Sequence, residues 1–143
     1  MKNDLIKAID TLNNGQYTCV LCKDNEIHTS TERGVKPLLA WLDAEIDLKG
    51  FSAADKVVGK AAAFLYVLLG VKEVYAPIMS ESAIYTLARN GIQPHCDKSV
   101  KHIINRAGTG FCPLEEAVGE LTDPKEALNK IKLRLIELSN AML

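Results

Sequence analysis

The sequence predicts an α/β protein, a three-layer α/β/α sandwich on a mixed sheet that opens with an N-terminal antiparallel hairpin. Three observations carry that expectation. Short β-favouring runs alternate with segments of helical period along the chain. The first two runs, residues 17–22 and 26–30, are separated only by polar Lys23, Asp24 and Asn25, which is hairpin spacing. Residues 60–69 are apolar on every side, as in a helix enclosed by a layered fold. Strands separated by helices pair in parallel through right-handed crossovers, so the sheet beyond the hairpin is expected to be parallel.

The elements follow in order. Leu5, Ile6, Ile9 and Leu12 recur at helical spacing, and Asn14-Gly15 stops that helix. After the hairpin, residues 35–48 read as a helix, with Pro37 tolerated in its first turn and Leu38, Leu39, Trp41 and Leu42 apolar. A strand is expected over 53–58, ending near Gly59, before the buried helix 60–69 that Gly70 closes. Val74, Tyr75 and Ile78 mark a strand over 73–79. Ser80 caps the next helix, which runs through Ile84, Leu87 and Ala88 to Asn90-Gly91. Residues 92–96 form a short strand that Pro94 pushes towards an edge. The last helix, about 124–141, has the clearest start: Asp123 as N-cap, Pro124 first and Glu126 third. Its stripe of Leu128, Ile131, Leu135 and Leu138 is expected to cover the sheet, with pairing in a homodimer as the alternative use.

Length and charge narrow the function. The 143 residues support one ordinary core and contain no low-complexity linker, so residues 1–143 form a single domain. Lys plus Arg number 17 against 18 for Asp plus Glu, a balance unlike that of a nucleic-acid binder. Residues 1–11 carry Asp4, Lys7 and Asp10, so they lack a signal peptide's apolar stretch, and the longest uncharged apolar run, 61–69, is too short for a bilayer. A cytoplasmic protein without membrane contact is expected, its four cysteines reduced. Cys19 and Cys22 are spaced as Cys-x-x-Cys, but on a strand they point to opposite faces, and no second pair completes a metal site. No metal and no cofactor is expected.

In open α/β sheets ligands sit at the carboxyl ends of strands, near helix amino termini. Three segments stand there. Arg33 and Lys36 bracket the first helix start after the hairpin. Asp55, Lys56 and Lys60 surround the second. Asn105, Arg106, Gly108 and Gly110 form a loop leading to Cys112-Pro113, a third helix start. Cations, glycines and open amides together suit an anion, although most lysines and arginines are merely solvated surface charges. Gly59-Lys60 does not make a P-loop, because Ala54 and Ala61 replace the glycine and hydroxyl that motif needs. Two residues are candidates for covalent or acid–base chemistry. Asp55 stands near lysines that would hold it ionised, with an ion pair or helix cap as its plainer role. Cys112 is placed as an N-cap where amides favour thiolate, opposed by Glu115 and Glu116, and a buried or capping thiol is its plainer role. His28, His95 and His102 sit at unrelated spacings and receive no role.

Glu32-Arg33-Gly34-Val35-Lys36-Pro37-Leu38-Leu39, Ala54-Asp55-Lys56-Val57-Val58-Gly59-Lys60-Ala61-Ala62, Ile104-Asn105-Arg106 and Cys112-Pro113-Leu114-Glu115-Glu116-Ala117-Val118 resemble the signature blocks of domain-of-unknown-function family 1893. The resemblance covers the chain to about Leu121 and implies a cytidine-deaminase-like fold without an assigned activity. Zinc deaminases need His-x-Glu or Cys-x-Glu at one helix start and Pro-Cys-x-x-Cys at the next. Neither His-x-Glu nor Pro-Cys-x-x-Cys occurs, and arginine and lysine stand where ligands would. The expectation is a metal-free deaminase-like domain that binds a phosphate-bearing small molecule, such as a nucleotide or nucleotide-sugar. Arg33, Lys36, Lys56 and Lys60 would neutralise the phosphate; Asn105, Arg106, Gly108 and Gly110 would orient it. The alternatives are an enzyme acting through Asp55 or Cys112 on such a substrate, and an interaction protein without ligand chemistry.

Overall fold

The structure, a computed structural model, describes residues 2–105, 108 and 110–141. Its first helix, α1 (Lys2–Asn14), precedes the hairpin of β1 (Cys19–Lys23) and β2 (Glu26–Ser30). The hairpin turns at Asp24, whose φ of 54° is a conformation that aspartate tolerates better than most residues. Then come α2 (Lys36–Asp43), β3 (Ser52–Asp55), β4 (Val57–Val58), α3 (Lys60–Leu69), β5 (Glu73–Ser80), α4 (Glu81–Arg89), β6 (Gln93–Val100), α5 (Pro113–Val118) and α6 (Pro124–Ala141). Among the described residues the six strands form one mixed sheet.

β1 lies antiparallel between β2 and β3, while β3, β4 and β6 run parallel to β5. β6 pairs along β5 from Glu73 to Ser80, so β3 and β4 share the other edge of β5. They do so in one register, Ser52 opposite Glu73 and Val57 opposite Ile78. The strand expected over 53–58 is therefore a single line of pairing interrupted at Lys56.

Alternation along the strands builds a core on each face. Val20, Cys22 and Ala54 pack with Ala8 and Leu12 of α1. Cys19, Leu21 and Ala53 face the other way, into a larger cluster with Leu38 and Trp41 of α2, Phe64, Leu65 and Tyr66 of α3, and Leu87 of α4. Every side chain of α3 from Ala61 to Tyr66 is buried, as its unbroken apolar sequence demands, and Gly70 ends it in the left-handed conformation at φ 78°.

Three expected elements change extent or place. The helix expected over 35–48 ends at Asp43, and Glu45 follows with φ 55°. Leu48 is still buried, but from a loop, which is why its apolar character imitated helical period. The short strand at 92–96 extends to Val100, because β5 offers partners as far as Ser80 while the polar residues 97–99 face outward. Pro94 is tolerated there because β6 pairs β5 alone among the described strands. The last helix does not cover the sheet. α6 packs on α3 and α5, burying Ala127 and Ile131, with Leu128 and Leu135 half-buried against the same cluster. Its start is as expected, the Glu126 amide donating to Asp123 Oδ2 at 3.1 Å. No helix among the described residues is long and apolar enough to cross a membrane.

Candidate functional site

The pairing of Ser30 with Cys19 and of Cys19 with Asp55 puts the end of β2 and the end of β3 in one row. The starts of α2 and α3 therefore emerge at the same edge of the sheet, the carboxyl edge of its parallel strands. Arg33, Lys36 and Lys56 stand there exposed. None makes a side-chain hydrogen bond or ion pair among the described residues. Gly34, between the two α2 cations, adopts φ 62° with open space around its Cα.

The start of α3 is arranged differently. Its first two amides, on Lys60 and Ala61, donate to Glu115 Oε1 and Oε2 at 2.7 and 2.9 Å. Glu115, from α5, thus caps the helix across the fold, favoured by charge-assisted bonds and by the helix dipole. Gly59 makes the approach possible, since a Cβ there would overlap the Glu115 carboxylate. Lys60 Nζ donates to the Gly119 carbonyl at 2.7 Å and lies 5.6 Å from the Phe64 ring centroid. Both ends of α5 are therefore tied to Lys60. Lys60 and the α3 amides, expected to be open to a ligand phosphate, already have partners in the Gly119 carbonyl and the Glu115 carboxylate.

Asp55 is also placed otherwise than expected. It is 7% exposed and pairs with neither Lys56 nor Lys60. Its Oδ2 accepts from the Tyr66 hydroxyl and its Oδ1 from the Lys56 amide, both at 2.7 Å. Tyr66 Oη in turn lies 3.2 Å from Cys19 Sγ. Burial pushes the Asp55 carboxyl up to about 6, against the Tyr66 hydroxyl and the backbone amides that lower it. Burial likewise raises the Cys19 thiol and the Tyr66 phenol, with the Asp55 charge adding to both. Lysines do not hold Asp55 ionised; a phenol and amides shape it.

The third segment contributes backbone. The Asn105 amide donates to the Gly110 carbonyl at 2.8 Å and the Gly108 amide to the Asn105 carbonyl at 3.0 Å. Gly108 takes φ 71°, the left-handed region. Arg106 lies outside the described residues. Cys112 is the N-cap residue of α5, half-buried, with no side-chain capping bond, and its thiol makes no hydrogen bond or ion pair among the described residues. A cleft of about 290 Å³ opens between α3, α5 and the end of β6, lined among others by Lys60, Ser82, Lys101, His102, Phe111 and Glu115. Of the expected ligand residues that the structure describes, Lys60 alone appears in its lining.

Tyr66, Cys19 and Glu115 had no place in the expected site. Tyr66 is concealed in an all-apolar helix, and Cys19 reads as a core thiol. Glu115 left one usable signal, a glycine directly before a helix that carries no capping side chain of its own. The histidines are occupied elsewhere: His28 contacts Trp41 and Phe51, His95 lies 3.3 Å from Glu73 Oε1, and the His102 ring lies 4.5 Å from Phe111. Cys19 and Cys22 fall in the cores of opposite faces. Among the described residues no three His, Cys, Asp or Glu side chains come together to hold a metal ion.

A family model described as a domain of unknown function (DUF1893) matches residues 7–135. The crystal structure of a DUF1893 family protein from Thermotoga maritima is similar with a TM-score of 0.83 and 27% identity, over 96% of this chain and 91% of that one. No curated protein matches the chain.

Proposed function

The chain belongs to the DUF1893 family, and on that footing we propose that it binds a phosphate-bearing small molecule at the carboxyl edge of its parallel strands, on a three-layer frame of the cytidine-deaminase kind. The observation that supports this reading is that Arg33, Lys36 and Lys56 all stand exposed at that edge, without side-chain partners among the described residues. An arginine presents a planar fork to phosphate oxygens, and two lysines add mobile point charges. Lys60 drops out of the expected set, since the Gly119 carbonyl holds it. The 105–110 loop, through Asn105, Gly108 and Gly110, would orient the rest of the molecule, a nucleotide or nucleotide-sugar in the simplest case. Catalysis by Asp55 does not enter the reading, because its carboxylate is turned inward to Tyr66.

A thermal-shift screen of nucleotides, dinucleotides and pyrophosphate tests the proposal. A ligand at ten times its Kd stabilises the fold by about 1.4 kcal/mol. The expected result is a saturable rise in Tm that disappears in the R33A/K36A/K56A variant. No shift with any phosphorylated ligand, beside a responsive control protein, would overturn it.

A further inference from the structure

The buried chain at the end of β3 can satisfy its hydrogen bonds in two ways that differ by one proton. With Asp55 ionised, both its oxygens accept, Oδ1 from the Lys56 amide and Oδ2 from the Tyr66 hydroxyl, each at 2.7 Å. Tyr66 has then committed its proton to Asp55, so its oxygen accepts from the Cys19 thiol at 3.2 Å. A proton placed on Asp55 Oδ2 reverses the chain. The carboxyl O–H donates to Tyr66 Oη, the phenol donates to Cys19 Sγ, and Oδ1 keeps the Lys56 amide. Only the thiol hydrogen loses its acceptor, and a thiol is a weak donor.

We propose that Asp55, Tyr66 and Cys19 form a reversible proton-carrying chain, which lets the carboxyl edge of the sheet gain or lose one negative charge without disturbing the β3–β4 break. The inference does not depend on phosphate binding.

At Asp55 burial is opposed by the Tyr66 hydroxyl and by the Lys56 and Val57 amides, and by no facing charge among the described residues. β1 supplies Cys19, its partner across the antiparallel pair, and α3 supplies Tyr66. The α3 cation Lys60 is turned to Gly119 and the neighbouring Lys56 is exposed without an ion pair. From β5, Ala76 is buried on the same face and apolar, while Tyr75 packs in the opposite core and bonds Asp97. Among the described residues no cation therefore counters desolvation, and the carboxyl rises to about 6 while phenol and thiol are pushed away from ionisation.

The test uses the full chain, carbon-13 labelled at aspartate. The Asp55 carboxyl carbon is followed by NMR and the Cys19 S–H stretch by difference infrared spectroscopy as pH is varied, with Cys19→Ala identifying the band. The proposal expects both signals to move together with a midpoint at about 6, the S–H band shifting to its weakly bonded position on the acid side. In a folded Tyr66→Phe variant the Cys19 band should stop responding while Asp55 still titrates. A Cys19 band in the wild type that stays still through the Asp55 titration would overturn the proposal. So would an Asp55 that titrates in the ordinary carboxylate range, or a Cys19 band that still titrates in Tyr66→Phe.

Discussion

At the start of α2, Arg33 and Lys36 stand exposed without side-chain partners among the described residues, as Lys56 does at the β3–β4 break. At the start of α3, Lys60 is bonded to Gly119 and the helix amides hold Glu115. The two starts use similar residues, a glycine followed within two positions by a lysine at the head of a helix, at the same edge of the sheet. One is left open and the other is closed by the chain itself. The difference arises 55 residues away in sequence, where α5 supplies the carboxylate. Availability of a cation is thus a property of tertiary packing, not of its local motif.

The sharpest way to break the contrast is to remove the closure. Glu115→Ala should destabilise the fold by about 3 kcal/mol, since two charge-assisted bonds to partly buried amides are lost. Gly59→Ala should cost nearly as much, because its Cβ displaces the same carboxylate. In the Glu115→Ala background, however, Gly59→Ala should cost less than about 1 kcal/mol, as the clash has gone. Denaturant unfolding of the two single variants and the double variant checks all three values; additive losses would show that the glycine serves something other than Glu115.

A similar magnitude is expected at Asp55, with a sign that depends on pH. Its folded value of about 6 lies above the usual 3.8, so between those values the folded chain keeps a proton that the unfolded chain has released. Its contribution to stability is therefore greatest below about pH 4 and declines as pH rises to about 6. The stability of wild type relative to Asp55→Asn should fall by about 3 kcal/mol across that window. Urea unfolding at several pH values measures this, and a flat difference would mean that Asp55 keeps an ordinary pKa.

Lys60→Ala should be milder, about 0.5–1 kcal/mol, because its bond to Gly119 is exposed. At the open start the effect on stability should nearly vanish. Arg33→Ala, Lys36→Ala and Lys56→Ala are each expected within about 0.5 kcal/mol of wild type, having no partner to lose. A larger loss at any of them would place it in a structural contact.

Much of the frame was legible in local signals. The hairpin, the enclosed helix α3 and the Ser80 and Asp123 caps all rest on short-range patterns, and each forms as expected. Readings failed where a residue's role depends on a distant partner. Leu48 is apolar because the core reaches it in a loop, and the α6 stripe meets α3 and α5 instead of the sheet. The site divides along the same line. Arg33, Lys36 and Lys56 lie at the carboxyl edge where strand-to-helix logic puts them. Glu115, Tyr66 and Cys19 could not be found that way, because nothing near Glu115 in sequence announces an α3 amide, and a tyrosine within an apolar helix resembles core.

On the proposed function, the anion goes to the open start and not to the closed one. Calorimetric titration of pyrophosphate at low salt into wild type, the R33A/K36A/K56A variant and the K60A variant tests it directly. The expected result is binding to wild type, an affinity at least about tenfold weaker in the triple variant, equal to about 1.4 kcal/mol, and K60A within about twofold of wild type. Undiminished affinity in the triple variant, or an equal loss in K60A, would contradict it.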